Sequence, residues 1–404
     1  MDYKQRILTD LLQSYEKRKA YKKTAASLKA IQIDIGKKYP EYKNRYDHES
    51  YKAIHTAIER LRADGLIEAN KNDVGHFTKI KLQIEHVEEC YHALGQLSIP
   101  EKCKKVVAAI QPFEKSTSSL VQTIVAEWEN KVINFEELPY NIKYDSIRAA
   151  DILKALQGIF QLNKETYMRN FSTAIFKDSK KFKAKYKSTV ENILFDNTEA
   201  IVKKEKILEY YNLYENPTYV LIKGNAEIYF QTSKIFLGEI QDGIALSNAS
   251  LEDIKKIIIH AEKVITVENL TTYHDSDEAD AVRIYLGGYH NASKQKLLEK
   301  IYSENINCQY YHKGDLDVYG FLILENLREK TKIPFEAMQM DLQTLKRFKS
   351  ARLYKPLESS DRKIIQKKIG GQLEKYKEVL QFMIENNCKV EQESVKALEL
   401  IEGR

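Results

Sequence analysis

The sequence predicts a multidomain chain that mixes α/β with α+β architecture. Three observations carry this. From residue 263 to 331, β-branched apolar runs alternate with helical patterns, the order of a βαβα unit with a central parallel sheet. The first ninety residues read as three helices followed by a two-strand ribbon. Residues 91–165 read as largely helical, and 351–404 as a charged helical tail. A chain of 404 residues exceeds an ordinary single domain. The expected boundaries are 1–90, 91–165, 166–236, 237–350 and 351–404.

In the first unit Asp2–Arg18 is an expected helix, and Ile31–Lys38 is apolar at helical spacing. Asp47–Ala63 is an expected helix with an N-cap at Asp47 or His48 and a stop at Gly65. LIEA, a polar NKNDVG loop and HFTKIKLQI then form a ribbon, which gives a winged-helix order. The third helix would be the recognition helix if the unit binds DNA. Its charged residues, Lys52, Glu59, Arg60 and Arg62, are of mixed sign, so a protein-contacting role fits as well. Residues 91–165 form a helical linker, broken at Lys115–Ser119, with Trp128 in its core. Residues 166–236 read as a second small domain, with the strand TYVLIKG (218–224) partnered by EIYFQT. Residues 351–404 are expected to be a charged helical tail reaching Glu391 and Glu393.

The chemistry concentrates between Val264 and Leu324. Lys263–Val267 is an expected buried parallel strand with Glu268 at its C-terminal end, where α/β sheets place their sites. Val282–Leu286 is the next strand, ended by Gly287-Gly288, and Ser293–Glu304 is an amphipathic helix. Asn307–His312 is a third strand. Asp315 follows its end, Asp317 lies two residues on, and Gly320 turns the backbone into a helix over Phe321–Thr331. Three carboxylates at successive strand ends can converge on one Mg²⁺, and such clusters hold hard cations against phosphates in DNA strand cleavage or rejoining. The acidic run Asp275, Asp277, Glu278 and Asp280 reads as a solvated loop, and His274, His290 and His312 flank the motif.

This pattern resembles the Toprim domain of topoisomerases, primases and related nucleases. Glu268-Asn-Leu-Thr271, Gly287-Gly288-Tyr289 and Gly314-Asp315-Leu316-Asp317 are closer still to its JetD branch, the nuclease subunit of the Wadjet plasmid-defence system, which is similar in layout to the A subunit of topoisomerase VI. Arg169-Asn-Phe-Ser172, Phe176-Lys-Asp178-Ser179-Lys180, Asn216-Pro217, Gly243-Ile-Ala-Leu-Ser247, Met340-Asp341 and Glu391-Gln-Glu393 resemble the same branch, so that the likeness covers most of residues 160–400. It implies a CAP-like winged helix over 166–236 ahead of a Toprim domain over 237–350. It implies Mg²⁺ or Mn²⁺ held by the catalytic Glu268, Asp315 and Asp317, with Asp341 a further candidate ligand. The implied function is a metal-dependent endonuclease of a Wadjet-type complex that hydrolyses double-stranded plasmid DNA. The implied partners are DNA, an SMC-type motor complex (JetABC-like) and a second copy of the chain. Two alternatives remain: a tyrosine transesterase like topoisomerase VI, and a DNA-binding adaptor with an inactive site. Tyr167 and the Tyr210-Tyr211 doublet lack the transesterase context and read as packing residues, which favours hydrolysis.

Composition agrees with a soluble intracellular chain. Hydrophobic residues make up 43%, and no apolar run approaches a membrane span or a signal peptide. Cys90, Cys103, Cys308 and Cys388 contain no CxxC pair, so neither a zinc site nor a disulfide framework is indicated, and the cytoplasm is expected. The net charge of +6 is modest, but residues 177–187 carry six lysines against one aspartate. Arg169, Lys177, Lys180, Lys181, Lys183 and Lys185 are therefore the expected DNA contacts, which neutralise phosphates without reading sequence.

Overall fold

The computed structural model describes residues 2–22, 29–197, 202–287 and 292–402. The chain is a mixed α/β protein with helices and several sheets, and it divides into two compact units at Gln157/Gly158. Among the described residues no helix is long and apolar enough to cross a membrane.

In the first unit α1 (Tyr3–Lys17) buries Ile7, Leu8, Leu11, Leu12 and Tyr15, a single helical stripe. Strand β1 (Gln32–Asp34) precedes α2 (His48–Ala63), whose N-cap Asp47 accepts from the Ser50 amide at 3.0 Å. Strands β2 (Ile67–Lys71) and β3 (Phe77–Leu82) complete a three-stranded antiparallel sheet in the order β1-β3-β2. The stretch 31–38, expected to be helical, is thus a strand followed by one helical turn, Ile35–Lys38. Ile31, Ile33 and Ile35 are buried while Gln32 and Asp34 are exposed. A spacing of two and four residues satisfies a strand as well as a helix, and the open edge of β3 decides for the strand. Helix α3 (Ile99–Ile110) starts at a capping box of Ser98 and Glu101. The break expected at 115–119 is present, since Ser118 caps α4 (Ser119–Ile133), in which Trp128 is fully buried. Helix α5 runs from Ser146 to Phe160.

The second unit opens with α6 (Met168–Phe176), one π-helical turn over Phe182–Tyr186, and α7 (Lys187–Asn197). Strands β4 (Tyr219–Lys223), β5 (Ala226–Tyr229), β6 (Lys234–Phe236), β7 (Ile244–Ser247), β8 (Lys256–Ile259) and β9 (Lys263–Val267) follow. After them come α8 (Leu270–Asp275), β10 (Ala281–Tyr285), α9 (Ala292–Glu304), β11 (Gln309–Lys313), α10 (Val318–Thr331), β12 (Glu336–Ala337) and α11 (Leu342–Ser350). The chain closes with α12 (Ser359–Lys368), α13 (Lys377–Asn386) and α14 (Ser394–Glu402). Six strands make the central sheet in the order β12-β11-β9-β10-β4-β7. The first four are mutually parallel, as the alternating pattern predicts, whereas β4 and β7 add antiparallel.

That edge corrects the pairing expected for TYVLIKG. Strand β4 lies between β10 (Leu221 opposite Tyr285) and β7 (Ile222 opposite Ile244), so neither of its edges is open to the next segment. The EIYFQT segment instead forms β5 in a separate antiparallel sheet, β8-β5-β6. The C-terminal stretch is helical, yet it is more than a charged tail. Leu357, Ile365, Leu373, Leu380, Met383, Cys388 and Val390 belong to the same buried core as Val264, Val282 and Phe321 of the sheet and α10. Its few apolar residues enter the core while most of its charges stay outside, a pattern that composition alone reads as solvated.

Candidate metal centre

The sequence of β9, KVITV, is buried from Val264 to Val267 because parallel strands lie on both its sides. Its neighbour β11 ends in register, Val267 opposite Lys313, and the Glu268 amide donates to the Lys313 carbonyl at 3.1 Å. The ladder therefore runs one residue past the strand and sets Glu268 beside Gly314. A Cβ at Gly314 would stand 3.0 Å from both Glu268 Oε2 and His312 Nε2, so glycine keeps this space open. Asp317 is the N-cap of α10, and its Oδ1 accepts from the Gly320 amide at 2.8 Å. A Cβ at Gly320 would lie 2.1 Å from the Asp315 carbonyl oxygen, an approach that only glycine permits. Asp315 is fixed from another direction: its Oδ1 accepts from the Gln392 amide at 2.9 Å.

Each aspartate thus spends Oδ1 on the fold and presents Oδ2 to one cation, the ammonium of Lys203. Nζ stands 2.8 Å from Asp315 Oδ2 and 3.4 Å from Asp317 Oδ2. Burial, Asp315 and Asp317 together push the Glu268 carboxyl up to about 8. Burial also raises Asp317, with Lys203 opposing. The Lys203 ammonium meets the same burial, but Asp317 and Asp315 outweigh it and hold the lysine above its ordinary range. Glu268 Oε2 is buried and has no hydrogen-bond partner among the described residues. Three carboxylates facing one monovalent charge, with one oxygen left over, form a site deficient in positive charge.

Hard carboxylate oxygens and an orphaned buried acceptor fit Mg²⁺ or Mn²⁺, and Lys203 Nζ stands in for part of that charge. Glu268, Asp315 and Asp317 stand more widely apart than Glu88, His92 and Glu101, whose ligand atoms lie within 4.8 Å of one another among the described residues.

Two members of the site escaped the sequence reading. Lys203 lies 112 residues from Asp315 and carries no motif. Gln392 sits between the flagged Glu391 and Glu393, and besides holding Asp315 it accepts the Asn269 amide on Oε1 at 2.9 Å. Glu391 pairs with Lys355 at 2.6 Å, and Glu393 accepts from Asn269 Nδ2 at 2.5 Å. Asp341 is exposed and caps α11, with Oδ1 and Oδ2 accepting from the Thr344 amide and hydroxyl at 2.8 and 3.1 Å. Within the acidic run Glu278 is not solvated. It binds Lys313 at 2.8 Å and Arg283 at 3.0 Å, and these partners overcome burial and hold its carboxyl down at about 2. His312 is buried, and its Nδ1 meets Thr266 Oγ1 at 2.9 Å; burial pushes its ring down to about 4. His274 is exposed, and Gly288, Tyr289 and His290 lie outside the described residues.

The basic segment splits by environment. Arg169, Lys177, Lys180, Lys183 and Lys185 are exposed. Arg169, Lys180 and Lys183 line one cavity of about 540 Å³ with Glu215 and Asn216. Lys183 is paired with Glu215, and Lys181 lies over the rings of Phe176 and Tyr186 at 5.1 and 5.8 Å. Tyr210 and Tyr211 pack edge to face, and Tyr211 does the same with Phe160.

Residues 225–402 match the family model described as Wadjet protein JetD, C-terminal. The whole chain is similar to the Wadjet protein JetD of Bacillus cereus (strain Q1), with 27% identity over 414 aligned residues that cover 98% of this chain and 99% of the relative. Glu268, Asp315, Asp317 and Gln392 fall inside the region matched by the family model, whereas Lys203 and the basic segment precede it.

Proposed function

We propose that this chain, which belongs to the JetD family of Wadjet proteins, is the member of its defence assembly that cuts DNA, a Mg²⁺- or Mn²⁺-dependent endonuclease with a Toprim-type site. The observation that carries the reading is that Asp315 and Asp317 share one cation just past the end of one parallel strand, with Glu268 at the end of the adjacent strand and its Oε2 unpartnered among the described residues. Asp315 and Asp317 would hold the ion, and Glu268 would complete its oxygen set. A bound divalent cation supplies charge stabilisation at phosphate oxygens and a more acidic water. The chain's own residues do the rest. Gly314 and Gly320 admit the acids at close range, and Gln392 fixes Asp315. In its alternative role Glu268, buried beside them, acts as general acid or base toward the attacking water instead of as a ligand. Arg169 and Lys180 offer cations to the phosphate backbone at the mouth of their shared cavity.

Hydrolysis is favoured over tyrosine attack because Tyr210 and Tyr211 are engaged in aromatic packing. One site per chain cuts one strand, so a double-strand break calls for a C₂ pair of chains. Cytoplasmic double-stranded DNA and an SMC-type motor complex are the partners this reading implies. The test incubates the purified chain with supercoiled plasmid, with and without the motor complex, in Mg²⁺, Mn²⁺ or EDTA. Cutting in either metal and none in EDTA is expected, with free 5′ ends and no protein attached. Cutting in EDTA, or 5′-linked protein, would overturn the reading.

A further inference from the structure

Lys203 takes the place that a metal ion would need. Of the four aspartate oxygens in the site, the two Oδ1 atoms are committed to backbone amides, Gln392 for Asp315 and Gly320 for Asp317. The two Oδ2 atoms are the ones left for a cation, and both face Lys203 Nζ. Asp317 is 3% exposed, and a carboxylate so far from water needs a positive partner close by. The lysine meets that need only in part. Its single charge serves two carboxylates and leaves Glu268 Oε2 with no partner among the described residues.

The lysine is also poorly suited to be permanent. Its side chain is 37% exposed, on a four-carbon stem with rotatable bonds, so that its head can leave for water without unpacking the sheet. A divalent cation that accepted all three carboxylates would satisfy what the ammonium leaves unsatisfied.

We propose that Lys203 is a built-in counter-cation, holding the site assembled in the metal-free chain and giving way when a divalent ion binds. The inference rests on the reading of Glu268, Asp315 and Asp317 as a metal site. It makes the lysine a threshold: metal affinity is lowered by the fraction of molecules in which the ammonium is seated. It also explains how three acids can lie together in a stable metal-free fold.

The test measures Mn²⁺ binding to the full chain by electron paramagnetic resonance, without DNA, for the wild type, Lys203→Met and Asp315→Asn. If the ammonium is seated about nine-tenths of the time, Lys203→Met binds Mn²⁺ about tenfold more tightly than the wild type, because the competition is gone. In the unaltered protein, the Lys203 amine is expected to resist acetic anhydride without metal and to become labelled, by mass spectrometry, in saturating Mn²⁺. Equal or weaker binding by Lys203→Met, or labelling of Lys203 that Mn²⁺ does not change, overturns the counter-cation role. If the wild type fails to bind Mn²⁺, or Asp315→Asn binds it equally well, the metal-site reading falls and this inference with it. If Asp315→Asn loses binding while Lys203→Met leaves it unchanged, the metal site stands and only the counter-cation role falls.

Discussion

The Gln392 amide donates to Asp315 Oδ1 at 2.9 Å across 77 residues of chain, so the C-terminal segment completes the acidic site. The side chain of the same glutamine closes a second link, accepting the Asn269 amide just after Glu268. Gln392 is 3% exposed, and it connects the turn after β9 to the turn after β11. Replacing it by alanine keeps the first link, which is backbone, and removes the second. Leaving the Asn269 amide without its acceptor costs about 1–3 kcal/mol. Gln392→Ala is therefore expected to lower Tm and weaken Mn²⁺ binding together, measured by thermal unfolding with and without the ion. A variant with unchanged Tm would show that the glutamine side chain is dispensable.

The carboxylates should separate function from folding. Glu268→Gln removes a charge that its neighbours already disfavour, and Asp315→Ala leaves Lys203 with Asp317 as its remaining site partner. Charge stabilisation by a bound ion is worth several kcal/mol, so either variant is expected to cut supercoiled DNA about a thousandfold more slowly. Circular dichroism should remain that of the wild type. A folded Glu268→Gln, Asp315→Ala double variant that cuts at the wild-type rate would remove these residues from the reaction.

What the sequence made legible follows from distance along the chain. Glu268, Asp315 and Asp317 could be read because each lies within a few residues of a strand whose period and β-branching are local properties. Lys203 could not, since its role exists only once its ammonium stands beside Asp315, 112 residues further along the chain. The pairing of β4 is not legible locally for a related reason. The segment at 226–229 is next in sequence, but which edges of β4 are free is settled by β7 and β10, twenty to sixty residues on. In the C-terminal segment the charges dominate composition, while the few apolar residues that enter the core decide where it packs. Glu278 was hidden in the same way: an acidic run reads as solvated until Lys313 and Arg283 arrive from other strands.

Glu278 gives a pH dependence. Its carboxyl is held near 2 in the folded chain against an ordinary value of 4.5, so the folded state prefers it ionised. Its contribution is complete above about 4.5 and is lost as pH falls toward 2. Glu278→Gln breaks a largely buried pairing in which Arg283 and Lys313 are 7% and 4% exposed. A loss on the order of 3 kcal/mol is expected at neutral pH. The gap in Tm between wild type and variant should narrow as pH is lowered from 5 to about 2, as the wild-type carboxyl protonates. A gap that does not depend on pH over this range would mean that the charge of Glu278 does not stabilise the fold.

The basic segment predicts a graded response to neutralisation. Lys180 is exposed beside Arg169 in the same cavity, whereas Lys183 is committed to Glu215 and Lys181 to the rings of Phe176 and Tyr186. A lysine that must leave a partner gains less from a phosphate than one that faces water. Lys180→Gln and Arg169→Gln should therefore weaken DNA binding more than Lys183→Gln does, although all three remove one formal charge. Each phosphate that is no longer neutralised is expected to reduce the slope of log K against log salt by about 0.9, through the counterions that stay on the DNA. Fluorescence anisotropy with a duplex of arbitrary sequence at several salt concentrations gives both affinity and slope. Binding should weaken equally on unrelated sequences, because contacts to the backbone carry no base information. Equal slopes for wild type and the Arg169→Gln, Lys180→Gln double variant would place the DNA elsewhere on the chain.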